Sequence, residues 1–178
     1  MPVSRRIPYL LLAAFVTIAV PCSATDKYVD ASVNDSGGLR IRTSDGRSII
    51  LPKERDQEAF DHIAISGDGQ GVGWLDLYPN CCTSYPIPLK LAVYMNGKLH
   101  TFTGSGLPIW RWHFTSDDKH VAFEQETVHG ELGVHYELRE ILSGRLISEY
   151  NPPIDSEGHP LTGQPVPQWV ADLNATAQ

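Results

Sequence analysis

Ile63-Ala64-Ile65-Ser66-Gly67-Asp68-Gly69-Gln70-Gly71-Val72-Gly73-Trp74 and Trp112-His113-Phe114-Thr115-Ser116-Asp117-Asp118-Lys119-His120-Val121-Ala122-Phe123 align without a gap at an offset of 49. Each begins as an apolar run, passes through a polar turn and leaves as a second apolar run. Asp68 and Asp117 share the turn position from which a carboxylate bonds nearby amides, and Gly69 tolerates positive φ. A strand, a turn and a strand are therefore predicted twice over.

Hairpin signals extend the pattern. Asp45-Gly46-Arg47, Asn96-Gly97-Lys98 and Ser143-Gly144-Arg145 sit between β-branched and aliphatic runs, and their glycines recur about every 50 residues, as expected of a repeated supersecondary unit. Both central residues of each turn are expected at positive φ. Leu89 to Thr103 follows the first aligned stretch as a second hairpin, and Leu132 to Tyr150 follows the second. Four strands per unit result, with units at about residues 60–106 and 107–151. Upstream, Leu39 to Thr43 and Ser48 to Leu51 form a further hairpin, and Lys53 to Glu58 is a charged connector.

The aligned residues resemble the TolB-like, WD-type β-propeller repeat, in which an aromatic or aliphatic residue precedes Ser-Pro-Asp-Gly-Lys, a variable position and a short Val-Ala-Phe-like strand. Phe114 to Phe123 follows that pattern, and Ile65 to Trp74 nearly as well. Two departures stand out: the usual Pro is Gly67 or Ser116, and the usual Gly is Asp118 in the second copy. The resemblance covers roughly residues 60–150 and implies blade-like sheets of a kind that commonly serves protein contacts. A closed propeller takes at least four blades of about 40 to 45 residues, more than this chain supplies. The expected fold is all-β and antiparallel, with two to three propeller-blade-like four-stranded units packed as a sandwich or an incomplete propeller. A monomer is expected, with completion of a ring by a second copy as the alternative.

The 178-residue chain opens with Arg5 and Arg6, an apolar run from Ile7 to Val20 and the small residues Cys22-Ser23-Ala24. This predicts a secretory signal, residues 1–24, cleaved after Ala24, and places the protein in the periplasm or outside the cell. The apolar run is shorter than the roughly 20 residues of a spanning helix, and no second such run follows. Removing two arginines and no acid makes the formal charge of −7 more negative still. Without a basic cluster, neither nucleic acid nor an anionic membrane surface is expected as a partner. Residues 25–37 read as a flexible terminus, with structure beginning at Leu39. Residues 38–178 read as one domain ending in a Pro-rich tail, where Gln168 to Leu173 forms a helical turn docking Trp169.

Residues with chemical potential are few. Asp76 to Lys90 is the least repetitive segment and reads as an inserted loop, where function tends to sit on a rigid scaffold. It offers Tyr78, Asn80 and Tyr85 as binding-surface residues, joined by Trp110, which lies outside the aligned segments. Trp112 and Phe114 match Ile63 and Ile65 and are assigned to the core. Cys81 and Cys82 are the only cysteines after the leader. An oxidising compartment favours a vicinal disulfide clasping the loop, although adjacent Cα atoms, about 3.8 Å apart, fall short of the usual disulfide span. Free thiols, pairing to another chain and a redox role are the alternatives.

His113, His120 and Asp117 form a weak candidate metal site, because pairing of Thr115 with His120 would set both imidazoles on one face. No cofactor is expected. Gly-x-Ser-x-Gly, His-Glu-x-x-His, Cys-x-x-Cys and phosphate-cradling loops are all missing from the sequence. The reading is a non-enzymatic exported binding or scaffolding module with an unknown protein or small-ligand partner. A small metal-dependent hydrolase on the same sheets and a thiol-redox accessory protein are its rivals.

Overall fold

A computed structural model describes residues 27–129, 133–155, 161 and 163–175. The predicted signal, and Leu132 in the last hairpin, lie outside them. The described residues form three antiparallel sheets and one helix. Sheet A contains β1 (Tyr28–Val33), β2 (Leu39–Thr43) and β3 (Ser48–Leu51). Sheet B contains β4 (Ala59–Ile65), β5 (Gly71–Tyr78), β6 (Ile87–Met95) and β7 (Lys98–Phe102). Sheet C contains β8 (Ile109–Phe114), β9 (His120–Gln125), β10 (His135–Glu140) and β11 (Leu146–Tyr150). In each sheet neighbours in space are neighbours in sequence. The all-β class and the two four-stranded units match the expectation from sequence.

The turns explain why these residues fold this way. At Ser66–Gln70 the Ser66 hydroxyl and the Gln70 amide both donate to Asp68 Oδ1, at 2.7 and 2.8 Å. At Thr115–Lys119 the Thr115 hydroxyl and the Lys119 amide donate to Asp117 Oδ1 at 2.7 and 3.0 Å. The first hairpin is a third copy: the Thr43 hydroxyl and the Arg47 amide donate to Asp45 Oδ1. Gly46, Gly69 and Asp118 take positive φ at the equivalent place, at 88, 74 and 54°. Only Asn96-Gly97 has both central residues at positive φ. Asp45 and Ser143 do not, because in those longer turns the glycine alone makes the left-handed step.

Alternation along each strand then stacks the sheets in series. Leu39 and Ile41 of sheet A bury against Val72, Trp74 and Ala92 of sheet B, with Ile63 and Ile65 packed alongside. The opposite face of sheet B, including Leu75, Leu91 and Val93, packs on Trp112, Val121 and Phe123 of sheet C. Val72 and Trp74 thus hold in one interface the positions that Val121 and Phe123 hold in the next. Full burial of each such side chain contributes about 1.5 to 3 kcal/mol. Gly73 leaves room for a neighbour: a β-carbon there would come within 2.3 Å of the Trp112 ring, whose indole N–H reaches the His62 carbonyl at 3.1 Å.

Both ends of the stack are finished. The outer face of sheet A carries the Asp30–Arg42 ion pair and the Arg40–Ser32 hydrogen bond. The outer face of sheet C is covered by α1 (Gln168–Ala175), which buries Val170 and Leu173 against Tyr136. Trp169 packs beside them, half-buried. A polar face at one end and a helix at the other give repeat stacks the caps they need.

The start of the fold departs from the sequence reading. Tyr28–Val33 is a strand, not part of a flexible 25–37 segment, and pairs with Leu39–Thr43 from Val33↔Leu39 to Tyr28↔Thr43. Asp30, one of the polar residues behind the flexible reading, faces outward beside Arg42, and Ser32 faces outward beside Arg40. The Tyr28 amide is held by the Gly69 carbonyl at 2.8 Å.

Candidate functional site

The segment read as a loop from Asp76 to Lys90 is strand at both ends, Asp76–Tyr78 in β5 and Ile87–Lys90 in β6. Asp76 and Lys90 are cross-strand partners of β5 and β6, leaving residues 79–86 as the connection. Asp76 is only 3% exposed. Its Oδ1 accepts from Gln57 Nε2 at 2.7 Å and from the Trp74 indole at 2.8 Å, while Oδ2 lies 3.3 Å from Lys90 Nζ. Lys90 also binds Glu54, which accepts the Tyr78 hydroxyl at 3.0 Å. The ammonium stands 5.4 Å from the Tyr78 ring centroid. Gln57 completes the set by accepting the Glu54 amide at 2.8 Å.

Electrostatics follow from this arrangement. Burial pushes the Asp76 carboxyl up, opposed by the Trp74 indole and Lys90. Lys90 beside Glu54 holds that carboxyl below the usual range. Burial works against the Lys90 charge, but Glu54, Tyr78 and Asp76 outweigh it and hold the ammonium well above an ordinary lysine. Tyr78 is half-buried in this network and anchors the base of the loop.

The tip stands on that base. Pro79, Cys81, Cys82, Ser84 and Tyr85 are exposed, and Asn80 is half-buried. Tyr85 leaves 52% of its surface in solvent. The Thr83 hydroxyl donates to the Tyr85 carbonyl at 2.6 Å, and Asn80 Oδ1 accepts the Cys82 amide at 3.4 Å. Cys81 and Cys82 are free thiols, not a disulfide, with their sulfurs 3.0 Å apart.

Trp110 is the second residue of β8 and lies at the end of the stack where β5 finishes, the end from which residues 79–86 emerge. A bulge between Ile109 and Arg111 removes it from the regular ladder. It is half-buried, and its indole N–H donates to the Glu126 carbonyl at 3.0 Å. Trp112 and Phe114 belong to the core as expected, meeting edge to face with ring centroids 5.1 Å apart.

The histidine set does not assemble. Thr115 pairs with His120 through its amide, so both imidazoles fall on one face of the sheet. His120 Nδ1 engages Asp117 at 3.0 Å, but His113 is turned toward α1. Burial lowers the His113 pKa, with Asp172 and the Trp169 backbone opposing, and its Nε2 is buried without a partner. Among the described residues no three His, Cys, Asp or Glu side chains are placed to hold a metal. A cleft of about 540 Å³ runs between β4 and β8, floored by Ile63, Ile65, Trp112 and Phe114.

Two buried polar positions escaped the sequence reading. Gln125 sits 49 residues after Asp76, at the same place in its own sheet, and is fully buried. It donates to Glu137 at 3.0 Å and accepts the Ser105 amide at 2.7 Å. Extending the aligned segments by two residues beyond Trp74 and Phe123 would have found both.

Comparison with family models, with curated proteins and with solved structures gave no match.

Proposed function

We propose that this chain is an exported, non-enzymatic binding or scaffolding module whose contact surface is the tip of residues 79–86, led by Tyr85 with Asn80 beside it. The observation that carries the reading is an aromatic side chain held in solvent on a short proline-flanked loop, over an ionic base in which buried Asp76 meets Lys90 and Lys90 meets the exposed Glu54. Exposed aromatic residues are the usual anchors of interfaces, and binding residues gather on loops positioned by a rigid scaffold. The likeness of residues 60–150 to TolB-like repeats supports a protein as the partner. No described helix is long and apolar enough to cross a membrane.

Capture from a native envelope fraction tests the proposal. Tyr85→Ala removes the captured partner and leaves the melting temperature unchanged. Equal capture by Tyr85→Ala and the unaltered protein would refute the assignment of the surface.

A further inference from the structure

We propose that Cys81 and Cys82 form a reversible two-electron thiol site, oxidised by small-molecule disulfides to an intrachain vicinal disulfide, and that this oxidation fixes the tip of the 79–86 loop. The second part rests on the reading of that tip as a contact surface; the first part does not.

The sulfurs already lie 3.0 Å apart on consecutive residues, and both side chains are exposed. An attacking thiolate and its resolving partner are therefore in place before any oxidant arrives. Position also isolates the pair. The flanking residues 79–86 include no charged side chain, so oxidation changes covalent structure without disturbing the ionic base at Asp76 and Lys90. The Asn80 contact to the Cys82 amide and the Thr83 contact to the Tyr85 carbonyl link the two cysteines to the aromatic residue within one short run of chain.

The chemistry balances without a metal or cofactor. Cys81 thiolate attacks one sulfur of a disulfide RSSR, forming a mixed disulfide and expelling RS⁻. Cys82 then attacks the Cys81 sulfur, forming the Cys81–Cys82 bond and expelling the second RS⁻. The two cysteine protons end on the two released thiols, so the protein loses two electrons and RSSR gains them. The same two steps with the cysteines exchanged give the same product, so either sulfur can make the first attack and the other resolve. Because a trans peptide holds consecutive Cα atoms about 3.8 Å apart, the product ring is strained relative to an ordinary disulfide, and excess thiol reopens it.

The test uses oxidised glutathione as the probe, with intact mass after alkylation as the readout. Reduced protein takes two labels. After oxidised glutathione, the unaltered chain takes none, carries no adduct and weighs two hydrogens less, and excess reduced glutathione restores both labels. Cys81→Ser and Cys82→Ser each stop at one glutathione adduct. Retention of two labels, a stable adduct on the unaltered chain, or interchain dimers would overturn the site. Hydrogen exchange across residues 79–86 reads the second part: the oxidised form exchanges several-fold more slowly at the tip, and identical exchange in the two forms would overturn it. None of these measurements needs the partner, so equal capture by Tyr85→Ala and failure of the thiol site are separate results.

Discussion

The Asp118 carboxylate accepts hydrogen bonds from the backbone amides of Gly67 and Asp68, at 2.8 and 2.9 Å, and so ties the turn of sheet C to the turn of sheet B. Both departures from the repeat pattern meet in this contact. A proline at 67 would have no N–H to give, and a glycine at 118 would have no carboxylate to receive it. Asp118 holds a left-handed conformation, φ 54°, that glycine would adopt at less cost. Asp118→Gly and Gly67→Pro should each destabilise the fold by about 1 kcal/mol, since charge-assisted bonds outweigh the relieved strain. The double variant should lose less than the sum, as a double-mutant cycle in urea would show.

Trp112 depends on the absence of a side chain at Gly73. Gly73→Ala would press a methyl group into the indole and should cost about 1 to 3 kcal/mol, read as a lower urea midpoint with an unchanged slope. Gly46→Ala meets no neighbouring atom and suffers only from its positive φ, so it should cost less.

Acid should weaken the repeated turns. The Thr43 hydroxyl and Arg47 hold Asp45 at about 2. Partial burial opposes the same effect at Asp117, but Thr115, the Lys119 amide and His120 prevail and hold it at about 2. Both carboxyls are depressed below the ordinary 3.8. The unfolded chain therefore binds more protons in that interval, and stability present above pH 3.8 is lost as pH falls through about 2. Thermal melts across this range should show a shallower decline in an Asp45→Asn, Asp117→Asn double variant.

At the loop base, Lys90→Met would strand a buried carboxylate. The expected cost is about 3 kcal/mol near neutral pH, because one partner of a buried pair is removed. Asp76 is already pushed up by burial and would rise further without the ammonium. A raised carboxyl costs stability as pH climbs through its folded pKa, so the penalty should shrink in mild acid. Urea titrations at two pH values would measure it.

The fold was legible because its information is local. The aligned segments, the Asp and Gly turn residues and the match of Trp112 and Phe114 with Ile63 and Ile65 all lie within single hairpins. What escaped depends on distant partners. Asp76 and Lys90 look like loop charges until Glu54 and Gln57, from the connector between sheets A and B, are brought beside them. Asp30 suggested a mobile terminus because acidic residues mark both tails and the solvent face of an edge strand. Trp110 was expected to be exposed, but a bulge and the Glu126 carbonyl absorb it, while Tyr85 is left in solvent on the one segment the repeat pattern does not explain.

A photo-crosslinking residue placed in turn at position 85 and at position 40, on the outer face of sheet A, tests most directly whether the finished stack works through its loop. In a native envelope fraction, position 85 should give a discrete adduct and position 40 none. Adducts from position 40 alone would mean that the sheet face is the binding surface, and would contradict the account.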